Sequence, residues 1–188
     1  MKLIFSSISE LTKQFFFNLN YCDKILKNYE LGNLRISDDL WKNCVRYQPI
    51  FAIDVVIYCK NLGILTGKRK NQPAKNKFFV PGGRVFKNES RDSAFERITK
   101  NEIGLILKLK NTSFIGIYEH FYENSKWENE GFGTHYIVEA RFIEVDSEFE
   151  KSVNMDDQHS HFKWIDSNSK NELEIHKYCN PYFRHVYK

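Results

Sequence analysis

The stretch from Phe78 to Leu105 reads FFVPGGRVFKNESRDSAFERITKNEIGL. Its apolar start breaks at Pro81-Gly82-Gly83. Ser90 then supplies an N-cap, and Asp92 a first-turn carboxylate, for an amphipathic run that stops at Gly104. This order predicts a strand, a glycine turn and a helix. Along the helix Ala94, Ile98, Glu102 and Leu105 recur every three or four residues, so a carboxylate continues an apolar stripe toward the glycine turn. A carboxylate in that setting calls for a cation.

These residues resemble the Nudix hydrolase family. Its pattern is a glycine, a glutamate six positions on, an Arg-Glu pair, two further glutamates and a closing glycine. Gly83, Glu89, Arg97, Glu102 and Gly104 meet it, but Ile98 replaces the glutamate after the arginine and Asn101 the first of the paired glutamates. In most members those carboxylates bind divalent ions or activate water for attack at phosphorus, so their loss implies a silent site or a changed reaction. The segment is similar to the GDP-mannose mannosyl hydrolase branch, whose turn reads Pro-Gly-Gly-Arg-Val and whose helix carries Ala-Phe-Glu-Arg ahead of one retained glutamate. Pro81 to Val85 and Ala94 to Arg97 match it. The resemblance implies an α/β Nudix fold, a mixed β-sheet in an α/β/α sandwich, here with an N-terminal helical extension.

At 188 residues, with 41% hydrophobic and 15% aromatic content, the chain suffices for one sizeable core. A net charge of +4 and a pI near 8.7 suit an anionic small molecule and fall short of a clustered nucleic-acid footprint. Cys22, Cys44, Cys59 and Cys179 are scattered without metal-binding spacing, as reduced thiols in a cytoplasmic protein would be. The start, MKLIFSSISELTKQFFF, sets Glu10 and Lys13 among its apolar positions and resembles neither a signal peptide nor a membrane span.

Residues 1–33 read as a helical extension, with Leu11, Phe15, Leu19 and Ile25 at helical spacing and Gly32 as a stop; residues 34–188 read as the Nudix domain. Ser37 caps a short helix, DDLWKNCVRY, and Pro49 to Cys59 is dense enough in β-branched and aromatic residues for a central strand. Asp54 interrupts that strand, either as an ion-pair partner or as part of the site; the resemblance implies sugar recognition. After a turn at Asn61-Leu62-Gly63, the strand ILTGKR brings Arg69, which matches a family arginine on the diphosphate. Arg84 is a second candidate, since a guanidinium fork suits phosphate oxygens, whereas Lys68, Lys70, Lys75 and Lys77 read as solvated. Ser113 to Glu123 and Thr134 to Val145 form two antiparallel strands, and between them Trp127 and Phe132 either stack on a guanine or pack locally. His120 and Tyr136 sit at family positions near the sugar nucleotide. The tail predicts a helix through SKNELEIHKY, capped by Asp166 or Ser167, followed by PYFRHVY.

Met155 to Ile165, MDDQHSHFKWI, reads as a polar loop before a short strand, FKWI. It resembles the Asp-x-Gln-His loop of the same branch, which implies Gln158 as a metal ligand and His159 as the base, with His161 the alternative. Glu102, the Gly82 carbonyl and the Gln158 amide oxygen form a hard, oxygen-only set suited to Mg²⁺, with Mn²⁺ as the alternative. The expected reaction is hydrolysis of GDP-mannose or GDP-glucose at the anomeric carbon, with His159 and Arg69 as the catalytic pair. Two other readings stay open: a pyrophosphatase cutting between phosphates, and a non-catalytic nucleotide-sugar binder. The expected partners are a small-molecule nucleotide sugar and a second copy in a homodimer, with no nucleic acid and no membrane.

Overall fold

A computed structural model of the protein describes residues 36–127, 129–153, 159–169 and 174–187, apart from the side chains of 159–161. The extension expected at 1–33, and Gln158, lie outside the described residues. From Ser37 onward the chain forms one compact unit.

The organising element is β1, Ile50–Cys59, whose side chains are nearly all buried on both faces. Such a strand needs neighbours on both edges and cover on both faces. On one edge β6, Thr134–Val145, runs parallel to it from Ile50↔Tyr136 to Cys59↔Val145. The other edge is shared by β2, Gly63–Arg69, and β4, Gly82–Arg84, both antiparallel. With β3 (Phe78–Phe79), β5 (Ser113–Tyr122) and β7 (His159–Ile165), the sheet runs β3-β2-β1-β6-β5, while β4 pairs with β1 and β7 with β2. It is a mixed sheet, as the sequence implies.

Helices cover both faces. Ile53, Val55 and Ile57 of β1 pack with Ala94, Phe95, Ile98 and Ile103 of α2, Arg91–Ile103. Val56 packs from the opposite face with Tyr182 and Phe183 of the closing helix, Asn180–Val186. Ser90 Oγ caps α2 by accepting from Ser93 N at 3.1 Å, and Gly104 ends it at φ 76°, a left-handed conformation that suits glycine. The preceding helix α1, Asp38–Tyr47, starts where Ser37 Oγ accepts from Leu40 N. A short helix α3, Phe149–Ser152, follows β6, so the closing helix is α4. Among the described residues no helix is long and apolar enough to cross a membrane.

Three expectations are corrected. Gly82–Arg84 is a strand rather than a turn, because Asp54 pairs with Gly82 and Val55 N donates to Pro81 O at 2.8 Å. His159 to His161 continue β7 rather than sitting in a loop, since the backbone pairing with β2 extends to Arg69↔His159. The helix expected through SKNELEIHKY does not form at Glu174–His176. There Phe78 N donates to Glu174 O and His176 N to Phe78 O, so Ile175 bridges the sheet edge.

Candidate active site

The double glycine opens the sheet toward both helical layers. A Cβ on Gly82 would stand 2.5 Å from Asp54 Oδ1 and 2.9 Å from the Ile53 carbonyl oxygen. One on Gly83 would stand 3.1 Å from Ile98 Cγ1 on the α2 side. Neither glycine has a positive φ, so both are needed for space rather than for backbone conformation. Ile98 is 1% exposed in the apolar layer, and Glu102, one helical turn on, is buried as well. Asn101 points outward. Glu89 and Arg97 form an ion pair: Arg97 Nε and Nη2 donate to the two Glu89 oxygens at 2.6 and 2.8 Å, and Nη2 also reaches the Arg84 carbonyl.

Asp54 faces the other layer. Tyr182 donates its hydroxyl to Asp54 Oδ2 at 2.8 Å. Burial raises the Asp54 pKa to about 7, against the lowering pull of the Tyr182 hydrogen bond and the Arg69 charge. Arg69 is the common cation of this region, acting also on Tyr122 and Tyr136, whose hydroxyls burial keeps protonated. The loop that Arg69 opens also fixes it, with its Nε donating to Pro73 O at 2.8 Å and its carbonyl accepting from Asn76 N. The β2–β7 register sets the His159 backbone directly across from it.

Arg69 and Tyr136 meet at a cavity of about 530 Å³ that is also lined by Trp41 from α1, Gln72, Lys126 and Trp127. Arg84 stands beside this wall, its guanidinium stacked 3.7 Å from the Trp41 ring centre and 4.9 Å from that of Phe86. Burial pulls its pKa below the usual guanidinium range. Phe132 packs on Trp127 and under Arg46, so it serves local packing, while Trp127 reaches the cavity. His120, like Asp54 and Arg84, is not among the residues lining this cavity. It is 3% exposed, stacked on Tyr178 at 4.2 Å, and its pKa is pushed down to about 4 by burial and the neighbouring His176. The cavity joins cations, flat apolar rings and a tyrosine, which suits a ligand with a ring at one end and an anion at the other.

Residues 49–179 match the model of the NUDIX domain. This chain belongs to the Nudix family. Over 130 residues, 69% of its length and 78% of the relative's, it is 38% identical to the low-salt glycan biosynthesis protein Agl8 of Haloferax volcanii. Over 102 residues it is 37% identical to an ADP-ribose pyrophosphatase of Methanocaldococcus jannaschii, spanning 53% of that protein and 54% of its own length. Among solved structures it resembles the MutT protein of Methanosarcina mazei, with a TM-score of 0.57 at 16% identity, over 74% of this chain and 94% of that one. The last likeness concerns the fold.

In this Nudix chain the helix that ordinarily carries several carboxylates thus turns an isoleucine into the core under Gly83 and keeps Glu102 buried beyond it. Two features of the site were missed in the sequence. Tyr182 sits 128 residues from Asp54, in a tail that reads as chemically blank. Trp41 precedes the matched Nudix region, and nothing in its helix signals a cavity wall.

Proposed function

We propose that this Nudix chain is a divalent-cation-dependent hydrolase that splits GDP-mannose or GDP-glucose into GDP and free sugar, by water attack at the anomeric carbon with inversion. The observation that carries the reading is the burial of Ile98 at 1% exposure beneath Gly83. An apolar core side chain there can neither ligate an additional ion nor activate water for attack at phosphorus, which favours attack elsewhere on the substrate. The 38% identity to a glycan biosynthesis protein supports nucleotide-sugar chemistry.

Glu102 and the Gly82 carbonyl, with Gln158, would hold Mg²⁺ or Mn²⁺. The fit is one of donor chemistry, since a carboxylate from the last turn of α2 and a backbone carbonyl from β4 are both hard oxygens. Bound there, the ion would supply neutralising charge to the departing diphosphate. Arg69, braced by Pro73, holds the phosphate oxygens, and Arg84 adds positive charge from behind Trp41. His159 takes the proton of the attacking water, a general-base role that an imidazole can fill. An oxocarbenium-like displacement of this kind needs one base when the leaving group is a neutralised diphosphate. Asp54 is assigned to sugar recognition on the resemblance alone, and Tyr136 lines the cavity. His120 reaches Tyr136 only through Tyr122, which meets each of them edge-on.

The test is incubation with GDP-mannose and Mg²⁺ in ¹⁸O-labelled water, with products resolved by mass. Label in the free sugar beside unlabelled GDP is the expected result. The 37% identity to an ADP-ribose pyrophosphatase favours a second reading, cleavage between the phosphates, which label in a phosphate product would establish instead. No turnover across a panel of nucleotide sugars would leave a binding protein.

A further inference from the structure

The cavity wall made by α1 lies outside the part of the chain that the Nudix model matches, residues 49–179. This wall is tied to the segment between β5 and β6. Lys126 Nζ bonds to Asp38 Oδ1 at 2.8 Å, and Glu130 receives Lys42 at one oxygen and Arg46 at the other, each at 2.8 Å. A single exposed ion pair stabilises little, but these three join the same two elements, the ones that contribute Trp41 and Trp127 to the cavity lining.

Trp41 is half-buried, and the Arg84 guanidinium stacks on its ring at 3.7 Å. An indole stacked on a cation is held flat and rigid, and the part of it that lines the cavity offers an aromatic surface. A planar ring of the ligand gains most from such a surface. Arg69 lines the same cavity and supplies the anion-binding end. Resting on the nucleotide-sugar reading of the site, we infer that Trp41 is the residue on which the nucleobase of the substrate stacks, with Trp127 facing it across the cavity. Base recognition in this chain is then shared between the region that matches the Nudix model and the helix that precedes it.

The test is calorimetric titration of the full chain, with Mg²⁺ present, using GDP and separately inorganic pyrophosphate, which carries the anion without the base. Trp41→Leu keeps an apolar, helix-favouring side chain but removes the aromatic face; Trp41→Phe keeps a face. A base stacked on an aromatic side chain contributes about 1–3 kcal/mol, so the leucine variant should bind GDP roughly 5- to 150-fold more weakly. Its pyrophosphate affinity should stay within twofold of native, and the phenylalanine variant should recover most of the GDP affinity. GDP binding unchanged in Trp41→Leu overturns the assignment. So does an equal loss for GDP and pyrophosphate, which would make Trp41 a support for Arg84. So does a native chain that binds no GDP. A native chain that binds GDP through Trp41 yet leaves GDP-mannose intact overturns the hydrolase reading and leaves this one standing.

Discussion

Asp54 shows what the site costs at the scale of a residue. It lies in the most buried strand of the sheet, at 6% exposure, with one oxygen on the Tyr182 hydroxyl and the other against the bare Cα of Gly82. Burial dominates and raises its pKa from 3.8 to about 7. A carboxyl whose folded pKa is raised contributes stability that is fully present below 3.8 and lost as pH rises through about 7, because only then must the buried charge exist. His120 and His176 run the other way. Their pKa values fall from 6.5 to about 4, so their contribution is present above 6.5 and lost as pH falls through about 4. Asp54→Asn should therefore remove the loss of stability between pH 3.8 and about 7 and leave the opposing histidine contribution in place. Stability at pH 8 relative to pH 5, read from urea midpoints, should be higher in the variant than in the native chain by an amount on the order of a few kcal/mol after conversion, because the histidine gain over that range is no longer offset by the Asp54 loss. Equal divergence in the two proteins would mean that the carboxyl titrates in its ordinary range and that the site does not hold it neutral.

At the scale of elements, Gly82 and Gly83 play unequal parts in letting β4 lie between two layers. A methyl at Gly82 meets a carbonyl oxygen of β1 as well as Asp54, and backbone cannot move aside cheaply; a methyl at Gly83 meets the flexible Ile98 side chain at 3.1 Å. Gly82→Ala should destabilise by about 1–3 kcal/mol, the usual range for overpacking, and Gly83→Ala by clearly less. Chemical denaturation checks the order, and equal or reversed costs would mean that β4 does not sit as closely on β1 as the structure places it. The glycines were legible as a break in the chain, but their strand was not, because its pairing partner Asp54 lies 28 positions upstream of Gly82. Much that is set locally was legible. The N-caps Ser37 and Ser90, the stop at Gly104 and the ends of β6 at Thr134 and Val145 are set by hydrogen bonds or side-chain patterns within a few residues. The extended course of Glu174–His176 comes from a distant partner, Phe78, and overrides a helical pattern. The same division separates Arg69 and Tyr136, recognised beside motifs, from Trp41 and Tyr182, which join the site only through folding.

For the whole molecule the unfinished surface is the edge of the sheet at β5. Phe114, Ile117 and Phe121 are 55%, 54% and 57% exposed. Their β6 partners are Arg141, Glu139 and His135, all odd-numbered, so the irregularity between Phe114 and Gly116 keeps the three apolar side chains on one face. Phe51, at 37% exposure, lies on that face too, through its pairing with Ile137 in β6. Phe121 stacks on His135, whose Nε2 is buried with no hydrogen-bond partner among the described residues. An edge strand with an exposed apolar face invites association, and two copies of the same face can satisfy each other about a two-fold axis. We propose that this face joins two copies of the chain in a homodimer, as the resemblance to the GDP-mannose branch implies. Light scattering should give twice the chain mass of 22.4 kDa for the native protein. Ile117→Lys sets a charge in the middle of the contact and should yield the monomer. Since Ile117 stands apart from the cavity lining, the monomer should still bind GDP with near-native affinity. A native chain that runs as a monomer, or an Ile117→Lys variant that stays dimeric, would move the contact away from β5.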